Sequence, residues 1–208
     1  MMQIVLKCLA SYLLGSFMGG LIVGRLKDGV DIRTLGSGNA GGTNALRTQG
    51  KGFAFWVLLI DIGKGFIATR VIAPLGSIES PWLPALCGLA AVVGHVYPIW
   101  FGFRGGKGVA TVAGALAGIA VTLLVPMLLV WLAVLVLSGY VGLGSISAAI
   151  SLPVYVACSG FEPQVPLLLF GCAVAALVIF THRANIARMW AGTEPRVHRR
   201  GFPGGGRG

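Results

Sequence analysis

Charge is scarce in this chain, and acidic charge is scarcest. Of 208 residues, 16 are Lys or Arg and only six are Asp or Glu, so 11% are charged, where a soluble domain carries about a quarter. So few carboxylates leave little material for a carboxylate-pair catalyst, and no Ser-His-Asp arrangement is spelled out. The four cysteines, Cys8, Cys87, Cys158 and Cys172, stand singly in apolar segments without C-x-x-C spacing. They read as small buried hydrophobes rather than a disulfide frame or a thiolate metal site. Three scattered histidines form no cluster, so neither a metal nor a cofactor is expected. The apolar runs also lack the period-two alternation of a membrane barrel. No aromatic-basic module accompanies the net charge of +10, so the charge is assigned to membrane orientation and lipid attraction, not nucleic acid.

What is present is apolar length. Hydrophobic residues make up 56% of the chain and mean hydropathy is +0.86. The expected class is an all-α, polytopic membrane protein with a single membrane domain over 1–190 and a basic, glycine-rich, disordered tail over 191–208. Helices are predicted near 3–25, 53–73, 82–101, 145–159 and 164–181. The first is read as a retained span rather than a signal peptide. The stretch 109–138, about 30 residues with Pro126 near its middle, is too long for one untilted span. It reads as a tight hairpin of two short helices, giving about seven in all; one long tilted helix would give six. Basic residues concentrate in 25–51, in 102–108 and after 181, whereas 74–81 and 160–163 carry Glu79 and Glu162 and no base. Seven helices put every basic segment in the cytoplasm, the N-terminus outside and the C-terminus inside.

Four polar islands fall on that cytoplasmic face. In GSGNAGGTNALR, residues 36–47, glycines allow close backbone approach, Ser37, Asn39, Thr43 and Asn44 add neutral donors, and Arg47 adds a bidentate fork. No acid stands between Ile32 and Ile60 to repel an anion. Composition alone leaves this segment between a flexible interfacial loop and an anion site. In GHVYPIWFGFRGGKGVAT, residues 94–111, Arg104 and Lys107 flank two glycines before an apolar helix, a setting that favours anions. It is not a P-loop, since Gly108 stands where Ser or Thr is needed and Phe101 where Gly is needed. His95 is either a structural hydrogen bonder or a base. In SGYVGLGSISAA, residues 138–149, Ser145 is read as opening and capping a helix. THRANIAR, residues 181–188, brings His182, Arg183 and Asn185, and alone reads as a basic flank. Asp61 and Lys64, at i, i+3 inside the second helix, read as an internally neutralised pair.

Together, GSGNAGGTNALR, GHVYPIWFGFRGGKGVAT and HRANI resemble, in order and spacing, the signature segments of the bacterial acyl-phosphate-dependent glycerol-3-phosphate acyltransferases of the PlsY type, over residues 12–190. The resemblance implies a seven-helix inner (plasma) membrane enzyme with a cytoplasmic site. It would move a fatty acyl group from acyl phosphate to the 1-hydroxyl of sn-glycerol 3-phosphate, giving lysophosphatidic acid and inorganic phosphate. Carried over by position, Ser37, Gly38, Asn39, Gly41, Thr43 and Asn44 would cradle the acyl phosphate. Arg47, Arg104, Gly106, Lys107, Ser145, His182 and Asn185 would hold glycerol phosphate or steady phosphoryl charge. Thr181, Ala184 and Gly142 depart from the family pattern, which often has Arg, Glu and Ser there. An acyl phosphate has a good leaving group, so no covalent intermediate is needed, and the departing phosphate can take the hydroxyl proton, with His95 the competing base. Membrane lipid and the two substrates are the partners this implies, and a protein that makes acyl phosphate is compatible with it. A phosphate-solute transporter is the rival class, but the islands lie on one face and no internal repeat is visible.

Overall fold

The computed structural model describes residues 1–27 and 29–197, and these contain helices and turns but no strand. Contacts divide the chain into two compact units, Met1–Val121 and Thr122–Gly208. In the first unit, α1 (Met2–Gly15) and α2 (Gly19–Leu26) replace the single helix expected over 3–25; the pair is bent by 45°. A 3₁₀ turn, Ile32–Thr34, leads to α3 (Gly42–Gln49), so half of the first island is helical rather than loop. Then come α4 (Lys51–Ile67), continued by a π turn at Ala68–Ile72, and α5 (Leu83–Val96) with a 3₁₀ turn at Ile99–Phe101. The unit ends on α6 (Val109–Ile119).

The second unit contains α7 (Val121–Ser138), α8 (Val141–Ser159), α9 (Gln164–Thr181) and α10 (Arg183–Trp190). The expected two helices over 109–138 are found, but the break is Ala120, in extended backbone at φ −162°, ψ 120°. Pro126 lies inside the 18-residue α7, so the second helix is not short and the proline does not divide the pair. A proline is tolerated within a membrane helix where neighbouring groups re-satisfy the freed carbonyl.

Leu83–Phe101, α7, α8 and α9 are long and apolar enough to cross a bilayer, and the bent pair α1–α2 makes a fifth candidate; α6 is a shorter apolar helix. The protein is therefore multi-pass. Where lipid removes the usual hydrophobic drive between helices, small residues let backbones meet. In the first unit a Cβ on Gly15 would overlap the Ala91 carbonyl, joining α1 to α5, and one on Gly114 would overlap the Ile62 carbonyl, joining α6 to α4. Thr69 reinforces the second contact by donating its hydroxyl proton among the Gly65, Phe66 and Ala115 carbonyls, each at 3.2 Å. In the second unit Gly171 packs on the backbone of Pro153, joining α9 to α8.

Gly63, also on α4, has open space where a Cβ would go. Gly114→Val should therefore cost about 1–3 kcal/mol by overpacking and lower the thermal midpoint in detergent by several degrees. Gly63→Ala should leave the midpoint unchanged or raise it.

Candidate active site

The first island is a turn organised around one side chain. Asn44, near the start of α3, is 2% exposed. Its Oδ1 accepts from the Ser37 amide at 2.9 Å. Its Nδ2 donates to the carbonyls of Ile32, Leu35 and Asn39 at 2.9, 3.0 and 2.9 Å, so at least one of its two hydrogens is shared. Asn44 was expected to face substrate, but both ends of its amide hold the loop. Gly36 passes over it at φ +56°, where a Cβ would overlap Asn44 Oδ1. Asn39 Oδ1 accepts from the Gly41 amide at 2.9 Å, setting the chain for entry into α3. Ser37 and Gly38 are left exposed at the tip, with Thr43 exposed on the first turn of α3. Arg47 lies four residues beyond Thr43 on the same helix face. The Gly42 and Thr43 amides belong to the N-terminal set that an α-helix leaves without intrahelical partners.

The second island folds back on the end of α5. Beyond the 3₁₀ turn, Gly102 (φ +65°) and Phe103 (φ +59°) reverse the chain. The Gly105 amide then donates to the Val96 carbonyl at 3.2 Å, and the Gly106 amide to the His95 carbonyl at 3.0 Å. A Cβ on Gly106 would overlap His95 Nε2. Arg104 is exposed and Lys107 half-buried, both just before Gly108, the N-cap of α6. The N-terminus of α6 is itself a positive dipole end. Arg104 and Lys107 add positive charge beside it, a setting of the kind that favours anions.

Arg33 staples the two islands together, and sequence reading had not singled it out. Its Nη1 donates to the carbonyls of Phe101 and Arg104 at 3.2 and 3.1 Å. Asp31 aims it, accepting from Nε at 3.0 Å and Nη2 at 2.8 Å. The Arg33 hydrogen bond holds the Asp31 carboxyl below the usual carboxylate range. Because that carboxyl is depressed in the folded state, its contribution is present above the unfolded pKa and fades as pH falls through the folded value. The staple is intact at neutral pH.

Behind both islands sits a buried charge cluster. Asp61, Lys64 and His95 are respectively 0%, 3% and 2% exposed. Asp61 Oδ1 lies 2.9 Å from Lys64 Nζ and 3.5 Å from His95 Nδ1, and it accepts from the Gly19 amide at 3.2 Å. Lys64 Nζ also donates to the Phe17 carbonyl at 2.9 Å. Both ring nitrogens of His95 therefore face protein, Asp61 on one edge and Gly106 on the other.

In the second unit Ser145 does not open a helix. It sits in the second turn of α8, donating to the Val141 carbonyl at 3.0 Å and accepting from Trp131 Nε1 at 3.3 Å. His182, buried at the α9–α10 junction, has Nδ1 2.8 Å from the Val178 carbonyl; that oxygen only accepts, so Nδ1 carries a proton. Asn185 packs against Gly142 and donates Nδ2 to Glu194 Oε1 at 2.6 Å, while Glu194 Oε2 accepts from Arg188 Nε at 2.7 Å. Glu194 was missed because it stands beyond the apolar runs, in the segment expected to be a tail. Residues 191–197 of that segment turn back on their own unit: the Val197 amide donates to the Gly139 carbonyl at 2.8 Å and the Arg196 guanidinium lies 4.7 Å from the Tyr140 ring. The rest of the expected tail, 198–208, lies outside the described residues, as does Asp28. Among the described residues no group of three His, Cys, Asp or Glu could hold a metal ion.

Apolar helices long enough to cross a bilayer, with cationic and amide-rich segments at their ends, define a multi-pass membrane protein. The sequence model of the family described as "Glycerol-3-phosphate acyltransferase" matches residues 5–192. Proteins named glycerol-3-phosphate acyltransferase are similar throughout. That of Synechococcus sp. (strain CC9902) is 42% identical, covering 91% of this chain and 93% of its own; that of Aquifex aeolicus (strain VF5) is 40% identical, covering 94% and 100%. The crystal structure of PlsY, an integral membrane glycerol 3-phosphate acyltransferase in its glycerol 3-phosphate form, superposes with a TM-score of 0.86 at 38% identity, covering 94% of this chain and 96% of that one. Its lysophosphatidic acid form gives 0.85 at 37% identity, covering 95% and 97%. The chain belongs to the glycerol-3-phosphate acyltransferase family, of the PlsY type.

Removing the Asn44 amide orphans the buried Ile32 carbonyl, at about 1–3 kcal/mol, and removes the part-buried bonds to Leu35 and Asn39. Asn44→Ala should therefore lower the thermal midpoint and speed protease cleavage within 33–41, whereas Thr43→Ala should leave both near wild type. Arg33→Ala should accelerate amide hydrogen exchange across 101–106 with the helices of the first unit unchanged.

Proposed function

We propose that this protein transfers a fatty acyl group from acyl phosphate to the 1-hydroxyl of sn-glycerol 3-phosphate, giving lysophosphatidic acid and inorganic phosphate. The observation that carries this reading is the meeting of Arg104, Lys107 and the α6 N-terminus beside a glycine-rich turn that Arg33 ties to them. Such an arrangement is suited to phosphoryl oxygens, and family membership supplies the substrate class.

In this mechanism the tip of the first island, Ser37, Gly38, Asn39, Gly41 and Thr43, receives the acyl phosphate, with the amides of Gly42 and Thr43 directed at its oxygens. Asn44 keeps the turn in shape. Arg47, Arg104 and Lys107 balance phosphoryl charge, and Gly106 lets the second loop seat against α5. The 1-hydroxyl oxygen attacks the acyl carbonyl carbon, the carbon–oxygen bond to phosphate breaks, and the departing phosphate takes the hydroxyl proton. No covalent enzyme intermediate forms. The burial of His95 between Asp61 and Gly106 supports this substrate-assisted route over a histidine base. Counting α1–α2, α4 with its π turn, α5, α6, α7, α8 and α9 as spans gives seven. The basic-loop bias supports a site on the cytoplasmic face with the N-terminus outside, and family membership supports the bacterial inner membrane. An enzyme that makes acyl phosphate is the protein partner this reading admits.

Purified protein given acyl phosphate and glycerol 3-phosphate should release phosphate only when both are present, and acyl-CoA should not replace the donor. Lys107→Ala and Arg47→Ala, normally inserted, should each lose about 10²–10³-fold in kcat, as loss of one charge-stabilising donor does. A His95→Gln enzyme that loses orders of magnitude in kcat with KM and folding intact would overturn the substrate-assisted route.

A further inference from the structure

The Asp61–Lys64–His95 cluster is buried, yet it is wired to both islands. Lys64 Nζ and Asp61 Oδ1 take up the Phe17 carbonyl and Gly19 amide, the backbone groups opened where α1 breaks from α2. The helix that starts at that break is pressed onto the first island, since a Cβ on Gly20 would overlap the Ala40 carbonyl. Toward the second island, Asp61 Oδ1 faces His95 Nδ1 and the far edge of the same ring is covered by Gly106, the residue before Lys107. A buried ion pair is seldom more stabilising than an apolar pair of the same volume, and its best-attested use is to specify one arrangement.

We infer that Asp61 is a positioning residue: through the α1–α2 break on one side and His95 on the other, it fixes the spacing between the glycine-rich turn and the Gly106–Lys107 loop. His95 acts through Gly106, not on the reacting atoms. This rests on the acyl transfer reading for its kinetic consequence, but its structural consequence does not require turnover.

The test replaces both charges at once, Asp61→Leu combined with Lys64→Met, so that neither partner is left as a buried lone charge. The double variant should insert and stay folded, melting a few degrees below wild type because the Phe17 carbonyl and Gly19 amide lose their partners. Its Gly19, Gly105 and Gly106 amides should exchange hydrogen faster than those of wild type, and kcat/KM should fall about a hundredfold, the effect of roughly 1 Å of misplacement. Wild-type exchange at those amides overturns the inference whatever the kinetics. Faster exchange in a protein whose wild type turns over no acyl phosphate leaves the positioning intact and removes the reaction instead. Should the double variant fail to insert, Gly106→Ala in wild-type and His95→Ala backgrounds decides. If His95 acts through Gly106, the alanine costs about a hundredfold in wild type and little once the ring is gone; equal costs in both backgrounds overturn the inference.

Discussion

A polypeptide crossing lipid must satisfy its own backbone hydrogen bonds, and that constraint governs where this chain is allowed to be irregular. The first helical run is interrupted at Ser16–Met18, which strands the Phe17 carbonyl and the Gly19 amide. A carboxylate and an ammonium from α4 meet them. Once the break is stabilised, α2 can leave the direction of α1 and carry the polypeptide under the glycine-rich turn. The close glycine contacts that bring α6 to α4 and α5 to α1 set the remaining distances. The reactive-looking surface is thus an outcome of satisfying backbone groups below it.

The two islands of the first unit divide their polar residues into those that shape and those that are displayed. Asn44, Asp31, Arg33 and His95 are engaged with backbone or with one another. Ser37, Thr43 and Arg104 stay at the surface. The second unit repeats the division, with Glu194 holding the Asn185 carboxamide and Arg188. A family resemblance names residues by position and does not separate these two kinds of work, whereas burial and partner geometry do.

Much of this was legible in the chain. The apolar run 164–181 is α9 with the same limits, and the basic segments lie at helix ends as their composition required. The interruption after Gly15 was not legible, because hydropathy sums over Ser16–Met18 without knowledge of the α4 pair that sustains it. Ala120 carries no local signal for a break, while Pro126 carries a strong one that α7 overrides. Ser145 misled for a related reason: its hydroxyl suits a helix cap, yet it lies inside α8 with Gly142 and Gly144 buried beside it. Asn44 could not be sorted from its neighbours by type, since an amide that binds substrate and an amide that holds a turn are the same residue.

Glu194 gives the order of synthesis a role. Asn185 emerges just after the last apolar helix, α9, but the carboxylate that accepts from its side chain comes nine residues later. A nascent chain interrupted between α10 and Glu194 would lack the hydrogen bond that ties the Asn185 side chain to the turn beyond its own helix.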